Sequence, residues 1–161
     1  MFRLIDSPLG PLGLQASLRG LSRVVFTATG ALPEAVGSAD ERDVEKHSTD
    51  VLDAAQAQLA EYFAGRRRSF ELPLDPPRTT DFRAAVHAQL TEIGYGETVT
   101  YRDVAKRLGR PGATRAVGSA CGANPLLIVR PCHRVLRSDG GLGGYAGGLA
   151  AKRFLLTLEE I

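Results

Sequence analysis

A cluster of three prolines near residue 75 divides the chain into two parts with different hydrophobic patterns. Before the cluster, short apolar segments separated by turn residues are typical of β-strands. After it, apolar residues recur at the spacing of amphipathic helices. Because proline interrupts both kinds of element, we interpret the cluster as a linker. The pattern predicts an α+β protein with an N-terminal domain at 1–75, a linker at 76–81 and a C-terminal domain at 82–161.

The N-terminal part carries candidate strands of a small antiparallel sheet. Two favourable turn sequences, Ser7-Pro8-Leu9-Gly10 and Arg19-Gly20, separate them. A polar segment at 30–48 predicts a loop. Apolar residues at helical spacing from Thr49 onward then predict a helix that ends at Gly65. The segments expected to form strands are 2–5, 12–18 and 21–26, with 70–74 as a fourth candidate.

The C-terminal part predicts a helix-turn-helix. Thr100-Tyr101-Arg102-Asp103 has the Ser/Thr-x-x-acidic pattern that opens a helix. A tight turn at 109–112 follows, and 113–121 is expected to form a second short helix. Two short helices joined by a glycine-containing turn are typical of DNA-binding modules. The other expected helices are 82–93, with Asp81 as its N-cap, and 149–160.

The segment after the second short helix predicts a reactive cysteine. Its apolar run, 126–129, is interpreted as a buried strand or extended segment. Pro131 cannot donate a backbone hydrogen bond, so the chain should leave any sheet there and present Cys132 at a bend. The neighbouring His133 and Arg134 are cationic or potentially cationic, and both would lower the pKa of the thiol. The pattern therefore indicates a nucleophile.

The composition limits the kinds of site available. With 161 residues, 43% of them hydrophobic, the chain is large enough to bury a real core. No apolar run approaches the roughly 20 residues of a membrane helix, and the N-terminus does not resemble a signal peptide. Two cysteines and three histidines provide neither a disulfide framework nor a nearby set of four zinc ligands. We expect a cytoplasmic protein that uses neither a metal nor a cofactor.

The charge is distributed unevenly along the chain. Residues 1–81 hold nine Lys/Arg and twelve Asp/Glu, a net charge of −3, whereas residues 82–161 hold eleven and six, a net charge of +5. The candidate nucleophile lies in the basic half, as binding to a phosphate backbone would require. An arginine-rich but merely solvated surface explains the same asymmetry equally well. The charge alone leaves both interpretations open.

The second short helix has unusually small side chains for a helix that reads DNA. Its sequence, Ala113-Thr114-Arg115-Ala116-Val117-Gly118-Ser119-Ala120, contains one long side chain, that of Arg115. Small residues allow a helix to approach the minor groove closely, and one arginine could occupy the space of an extruded base. Alternatively, the small residues allow close helix packing in a core while Arg115 lies in solvent. Both interpretations remain open.

Together these segments resemble the O6-alkylguanine-DNA alkyltransferases. The resemblance is close over residues 81–160 and loose at Asp6-Ser7-Pro8-Leu9-Gly10. It depends on several motifs in order: Tyr101, the Arg115 helix, Asn124-Pro125, Pro131-Cys132-His133-Arg134-Val135 and Gly143-Gly144-Tyr145-Ala146-Gly147-Gly148. It implies an N-terminal ribonuclease-H-like α/β domain and a C-terminal, mostly helical domain with a winged helix-turn-helix. The implied partner is double-stranded DNA containing O6-alkylguanine, bound by a monomer that can cluster along DNA.

The resemblance also implies catalytic roles. Cys132 would accept the alkyl group from guanine as a thioether that is not reversed. By the resemblance, His133 would deprotonate the thiol through a water molecule, which fits the fact that neighbouring side chains of an extended chain point to opposite faces. Glu159 would orient that imidazole, although without the resemblance it would be interpreted as a surface residue. Asn124 would support the site by hydrogen bonds, and Tyr101 would donate to the guanine ring as it leaves.

Further implied roles concern binding. Arg115 would fill the base stack after the damaged nucleotide is flipped out of the helix. The residues expected to contact DNA are Arg115, Tyr101, Thr114, Ala116, Gly118, Ser119 and Arg134. The residues expected to line the base pocket are Val135, Tyr145 and Ala146. Cys121 is interpreted as a small core residue and not as a second nucleophile.

Four positions depart from the pattern usual in this family. Val86-His87 stands where an aromatic residue is common, Gly94 replaces a common proline, and Ala146 lacks a hydroxyl that some relatives have. Arg130 replaces an aliphatic residue directly before Pro131. This charge must reach solvent, a phosphate or an acid to be tolerated. The zinc-binding cysteines of some relatives are absent.

Three other functions compete with transfer of an alkyl group to cysteine. A damage sensor would bind alkylated DNA without transfer, but such proteins carry another residue in place of the cysteine. A cysteine hydrolase would need His and Asn or Asp close to the thiol, which the sequence permits. A sequence-specific transcription factor is disfavoured because the second helix offers few side chains that read bases.

Overall fold

The computed structural model describes residues 1–27 and 41–160. The chain forms two compact units, Met1–Pro77 and Arg78–Ile161. The boundary falls within the linker predicted at 76–81. Part of the loop predicted at 30–48 lies outside the described residues. Among the helices of the described residues, none is both long and apolar enough to cross a membrane.

The first unit contains a three-stranded antiparallel sheet within its described residues, and a long helix packs on it. The predicted small antiparallel sheet is therefore confirmed. Its apolar side chains are buried because alternate residues of a strand point to one face, which the helix covers. The elements are β1 (Phe2–Ile5), β2 (Leu12–Ala16), β3 (Leu21–Phe26) and α1 (Glu41–Phe63). The core consists of Leu12, Leu14, Leu21, Val24, Leu52, Leu59 and Tyr62.

Three predictions for this unit were wrong in part. Strand β2 ends at Ala16 rather than Leu18, because the register shifts between Gln15 and Ala16 before a tight turn. Helix α1 begins at Glu41 rather than Thr49. The pattern did not predict this earlier start, because residues 45–47 are exposed and polar and show no apolar period. The segment 70–74 makes only a single bridge to Leu21 within the described residues.

The second unit is mostly helical, as predicted. It also contains a short parallel pair of strands, in which Val99 is opposite Val135 and Thr100 is opposite Leu136. The elements are α2 (Asp81–Thr91), β4 (Val99–Thr100), α3 (Tyr101–Arg107), α4 (Thr114–Gly122), a 3-10 turn (Cys132–Arg134), β5 (Val135–Leu136) and α5 (Leu149–Glu159). The core consists of Val86, Leu90, Val104, Val117, Ala120, Leu126 and Leu155.

Capping explains where the helices of this unit begin. Thr100 and Asp103 form the predicted capping box, in which each side chain accepts a hydrogen bond from the other residue's backbone N–H. The N-cap of α2 is Thr80 and not Asp81, because the Thr80 hydroxyl accepts from the Arg83 N–H at 3.3 Å. Asp81 is instead the first helical residue. The turn between α3 and α4 contains Gly109 at φ +70°. Helices α3 and α4 therefore form the predicted helix-turn-helix.

Candidate active site

A pocket of about 520 Å³ lies in the second unit and has Cys132 in its wall. Helix α4 supplies much of the lining, and Tyr101 and the segment Gly144–Ala146 supply other parts. Arg115 is exposed, whereas Cys132 retains only 4% of its surface. Many of the lining residues are small, so the backbone forms much of the wall. A flat ligand could therefore enter from the exposed side of α4 and reach the thiol.

The backbone around Pro131 positions Cys132. Pro131 has φ −82° and ψ 64°, and the Cys132 N–H donates to the Arg130 carbonyl at 2.8 Å. These values define an inverse γ-turn. The Cys132–Arg134 segment continues as a 3-10 turn, so the bend expected at Cys132 is present. The chain here is not extended, so the Cys132 and His133 side chains need not point to opposite faces.

The apolar run 126–129 is largely buried, but it forms a turn and not the predicted strand or extended segment. Ile128 has φ +71°, a left-handed conformation that a β-branched residue rarely adopts. Asn124 holds this turn by two hydrogen bonds. Its amide donates to the Arg130 carbonyl at 2.8 Å, and its carbonyl oxygen accepts from the Leu126 N–H at 3.1 Å. The Asn124 side chain thus satisfies backbone groups that a strand would have paired with a neighbour.

The expectation of a lowered thiol pKa was wrong. Burial raises the pKa of Cys132, and this effect outweighs the hydrogen bond from Asn124 and the nearby charges of Lys152 and Arg130, which lower it. A neighbour in the sequence lowers a pKa only when its charge is present and not already balanced. In the resting site the thiol is therefore neutral, and a base has to remove its proton.

His133 is a suitable base because it is buried and oriented. Its Nε2 lies 2.8 Å from Glu159 Oε1, and a carboxylate can only accept, so Nε2–H donates. The other ring nitrogen, Nδ1, keeps its lone pair and is buried without a partner among residues 1–27 and 41–160. Burial lowers the pKa of His133, although the hydrogen bond to Glu159 raises it. The imidazole is thus neutral near pH 7.

Arg134 was predicted to contact DNA, and the structure contradicts this. Its Nε and Nη2 donate to the Glu159 carboxylate, both at 2.8 Å, and its Nη1 donates to the Ile93 carbonyl at 2.6 Å. The side chain is 7% exposed. Arg134 therefore balances the charge of Glu159 inside the protein and cannot reach a phosphate group.

Tyr101 lies between α4 and the segment that follows β5. A Cβ atom on Gly143 would come within 2.6 Å of the Tyr101 hydroxyl, and Gly143 has φ +70°. Only glycine allows both this backbone conformation and this close approach. Burial is the main cause that raises the pKa of Tyr101 to about 12. Its hydroxyl therefore remains protonated and is able to donate a hydrogen bond into the pocket.

Lys152 is a site residue that sequence reasoning missed. Its ammonium group donates to the carbonyls of Val135 at 2.7 Å, Gly144 at 3.2 Å, and Leu142. It also lies 5.7 Å from the centre of the Tyr101 ring. The signal was present in the sequence, because Lys152 lies three residues before Leu155 on the apolar face of α5. A charge on such a face has to have internal partners.

One face of the small-residue helix packs in the core, as one interpretation predicted, and the other face is exposed, as an approach to DNA would require. On α4, Val117, Ala120 and Cys121 are buried, and the helix packs against α2 and α3. The opposite face remains exposed and small around Arg115. The exposed residues are Arg115, Ala116 and Ser119, and Thr114 and Gly118 are half-buried. Burial raises the pKa of Cys121 to about 12, which agrees with its interpretation as a core thiol.

The remaining predicted residues have the following places. Tyr145 and Ala146 line the pocket, and Val135 is fully buried. At the unusual Val86-His87 position both side chains are buried, and His87 Nε2 lies 2.7 Å from the Ala120 carbonyl. The Gly94 N–H donates to Glu97 at 3.1 Å. Within the described ranges, no group of three His, Cys, Asp or Glu residues is placed to hold a metal ion.

A buried thiol, an oriented neutral imidazole and an adjacent helix-turn-helix define a cysteine-dependent protein with a DNA-binding module. Residues 81–161 match the family model described as 6-O-methylguanine DNA methyltransferase, DNA binding domain. Residues 1–76 match the model described as 6-O-methylguanine DNA methyltransferase, ribonuclease-like domain. The chain therefore belongs to the 6-O-methylguanine DNA methyltransferase family.

Individual relatives are similar over almost the whole chain. A methylated-DNA–protein-cysteine methyltransferase from Methanosarcina barkeri is 44% identical, covering 99% of this chain and 96% of its own length. One from Mycobacterium tuberculosis is 41% identical, covering 99% and 92%. The solved structure of a Mycobacterium tuberculosis OGT in complex with DNA has a TM-score of 0.84 at 39% identity, covering 99% of this chain and 92% of that one.

Proposed function

We propose that this protein repairs alkylated DNA by direct reversal, as a methylated-DNA–protein-cysteine S-methyltransferase. It transfers a methyl or small alkyl group from O6 of guanine to Cys132, and each molecule acts once. The observation that carries this proposal is the buried Cys132 thiol in a pocket lined by the second helix of a helix-turn-helix. Membership of the family and the names of the relatives support it.

The binding step uses the exposed face of α4. Its small side chains allow the helix to approach the minor groove and the backbone closely. Arg115 occupies the position of the flipped nucleotide in the base stack, which offsets part of the unstacking energy. The contacts to DNA are made by Thr114, Arg115, Ala116, Gly118 and Ser119, together with Tyr101. Arg134 is not among them, because its donors bind Glu159 and Ile93.

The transfer step begins with removal of the thiol proton. His133 Nδ1 accepts this proton through a water molecule, while Glu159 keeps the ring in the required tautomer. The Cys132 sulfur attacks the alkyl carbon, the bond between that carbon and O6 breaks, and its electron pair remains on guanine. The protonated Tyr101 hydroxyl donates to the ring as this negative charge develops. The guanine anion then takes up, through water, the proton that His133 had accepted, so the products are a neutral thioether, restored guanine and a neutral His133.

The pocket wall fixes the guanine against the thiol. Tyr145 and Ala146 contact the base, and the backbone of Val135 lies beside them. Lys152 supports this wall, since it binds the carbonyls of Val135 and Gly144 at once.

We further propose that the protein acts as a monomer in the cytoplasm, clusters along double-stranded DNA and requires no cofactor.

The direct test is incubation with duplex DNA containing one O6-methylguanine, followed by intact-mass and peptide analysis. The expected result is a gain of one methyl group per protein molecule, confined to Cys132, together with loss of O6-methylguanine from the DNA. Stoichiometric binding without any mass gain would instead identify a damage sensor. Repeated turnover of an ester or amide substrate would identify a cysteine hydrolase.

The pH dependence of transfer is the first prediction. We expect a constant rate from pH 6.5 to pH 9.0 and slower transfer at lower pH. Burial lowers the pKa of His133 from 6.5, so its imidazole loses its role as a base only below that pH. Burial raises the pKa of Cys132 from 9.0, so the thiol remains neutral across the window. Single-turnover rates measure this profile, and a rate that climbs steadily from pH 6.5 to pH 9.0 would exclude His133 as the base.

The second prediction concerns Arg115. Replacement by alanine is expected to slow repair of duplex DNA by roughly ten- to a hundredfold, because unstacking a base costs a few kcal/mol. Reaction with a free O6-alkylguanine base should remain unchanged, since no base has to be flipped. Arg107→Ala removes an equal charge from the end of α3 and serves as the control. Equal slowing of both substrates by Arg115→Ala would contradict the proposed stacking role.

A further inference from the structure

We propose that Arg130 is a positioning residue for the transfer, a buried guanidinium that stabilises the negative charge developing on the Cys132 sulfur. The inference rests on the proposed function for the identity of the reaction. It concerns a charged side chain that directly follows an apolar segment. The effect of Arg130 on the reactivity of the Cys132 thiol can be tested without DNA.

The backbone ties Arg130 directly to the nucleophile. Its carbonyl accepts from the Cys132 N–H across the γ-turn and from the Asn124 amide, both at 2.8 Å. Its side chain is folded inward, since the residue is only 9% exposed. Its Nε is buried without a hydrogen-bond partner in the described part of the chain. No ion pair found among residues 1–27 and 41–160 includes Arg130.

Structure alone gives no reason for a cation at this position. The three residues before it, 127–129, are Leu, Ile and Val, and an aliphatic side chain would continue this apolar segment. A buried cation without a counter-charge destabilises the folded state. Such local costs are typical of functional sites, where the compensating charge appears during the reaction. The Cys132 thiolate, two residues further on, is a negative charge that forms only during the reaction.

The electrostatic coupling has the required direction. Burial raises the pKa of the Cys132 thiol, and the charge of Arg130 opposes this; burial likewise lowers the pKa of Arg130, and the Cys132 thiolate opposes that. The positive charge therefore favours the ionised sulfur. Burial lowers the pKa of His87, and the charge of Arg130 contributes in the same direction, so a second cation at His87 is disfavoured.

The other groups around the sulfur do not replace this charge. Cys121, Tyr101 and Tyr145 have raised pKa values because of burial, so they are neutral at pH 7. His133 is neutral as well, because burial lowers its pKa.

Two ionised groups remain near this cluster besides Arg130. The Glu159 carboxylate is balanced by Arg134. Lys152 is the second cation that lowers the pKa of Cys132, but its three donors bind backbone carbonyls. Lys152 lowers this pKa more than Arg130 does, but its donors already hold the pocket wall, whereas the Arg130 Nε–H has no acceptor in the described residues.

The test compares Arg130→Met, which removes the charge, with Arg130→Lys, which keeps it. Alkylation of Cys132 by iodoacetamide is followed by peptide mass analysis as a function of pH. In Arg130→Met we expect the pH midpoint to move upward and the rate below the midpoint to fall roughly three- to tenfold. Arg130→Lys should restore most of the rate. Arg153→Met, which removes an exposed arginine from α5, should match the unmodified protein.

Thermal unfolding separates this role from a structural one. If the charge serves the reaction, Arg130→Met unfolds at an equal or higher temperature while it alkylates and transfers more slowly. An unshifted pH midpoint in Arg130→Met would overturn the inference, and so would a shift that Arg130→Lys fails to rescue. Absence of methyl transfer in the unmodified protein would overturn the proposed function instead, and the iodoacetamide profiles would still decide the role of Arg130.

Discussion

The Cys132→Ser variant is expected to bind O6-methylguanine duplex DNA and to leave it unrepaired. A hydroxyl is a far weaker nucleophile than a thiol unless a strong base activates it. His133, whose pKa burial lowers, is too weak a base to ionise a serine buried at the same place. Binding should persist because Cys132 is only 4% exposed, and its replacement leaves the exposed side chains of α4 unchanged. Intact mass measures the transfer, and a gel-shift titration measures the binding.

The chain offers a matched control for this variant. Cys121 is also buried and lines the same pocket, but it lies on α4 and is interpreted as a core residue. Cys121→Ser should therefore still gain one methyl group per molecule from the same DNA. A methyl group found on any residue of Cys132→Ser would show that Cys132 is not the unique acceptor.

Loss of the Glu159 carboxylate should have the largest effect on stability. Its two oxygens accept from His133 and from Arg134, and all three side chains are almost fully buried. In Glu159→Gln the guanidinium of Arg134 remains buried without its counter-charge. Breaking one partner of a buried ion pair costs about 3–5 kcal/mol. We expect the free energy of unfolding, measured by urea titration, to fall by about this amount.

The same variant should also slow the transfer. A glutamine amide can present either an acceptor or a donor to His133 Nε2, so it no longer enforces the tautomer that leaves Nδ1 free, and general base catalysis is worth roughly a hundredfold or more. Single-turnover rates at a temperature below the unfolding transition measure this effect. Glu160→Gln, at the exposed neighbouring position, should match the unmodified protein in both measurements. A Glu159→Gln variant of normal stability and rate would refute the network.

The parts of the fold that depend on local chemistry could be predicted from the sequence. The capping box of α3 needs only Thr100 and Asp103, which lie in one helical turn, so four residues sufficed to place it. The start of α1 could not be predicted, because the residues at 45–47 are polar and exposed and have no apolar period. The apolar run 126–129 was predicted to be a strand or an extended segment, because the pattern indicates burial but not the hydrogen bonds that Asn124 makes to the backbone.

The sequence predicted which residues form the site better than it predicted their charges and pKa values. Adjacency to Cys132 suggested that His133 and Arg134 lower the pKa of the thiol, but adjacency contains no information on burial or on distant partners. Glu159, 25 residues after Arg134, takes up its charge. The only sequence signal for Lys152 was its place on an apolar helix face. In each case the electrostatics depended on contacts between segments that are far apart in the chain.

Helix α5 has a consequence for how this site fails. Lys152 holds the pocket wall and Glu159 holds the histidine, and both are on this one helix about two turns apart. Unwinding of α5 would release the pocket wall and the catalytic His133 in a single event. The site is therefore one cooperative unit, in which local melting abolishes recognition of the base and chemistry together. A heated sample should contain competent and inert molecules, with no population that binds damaged bases normally but reacts slowly.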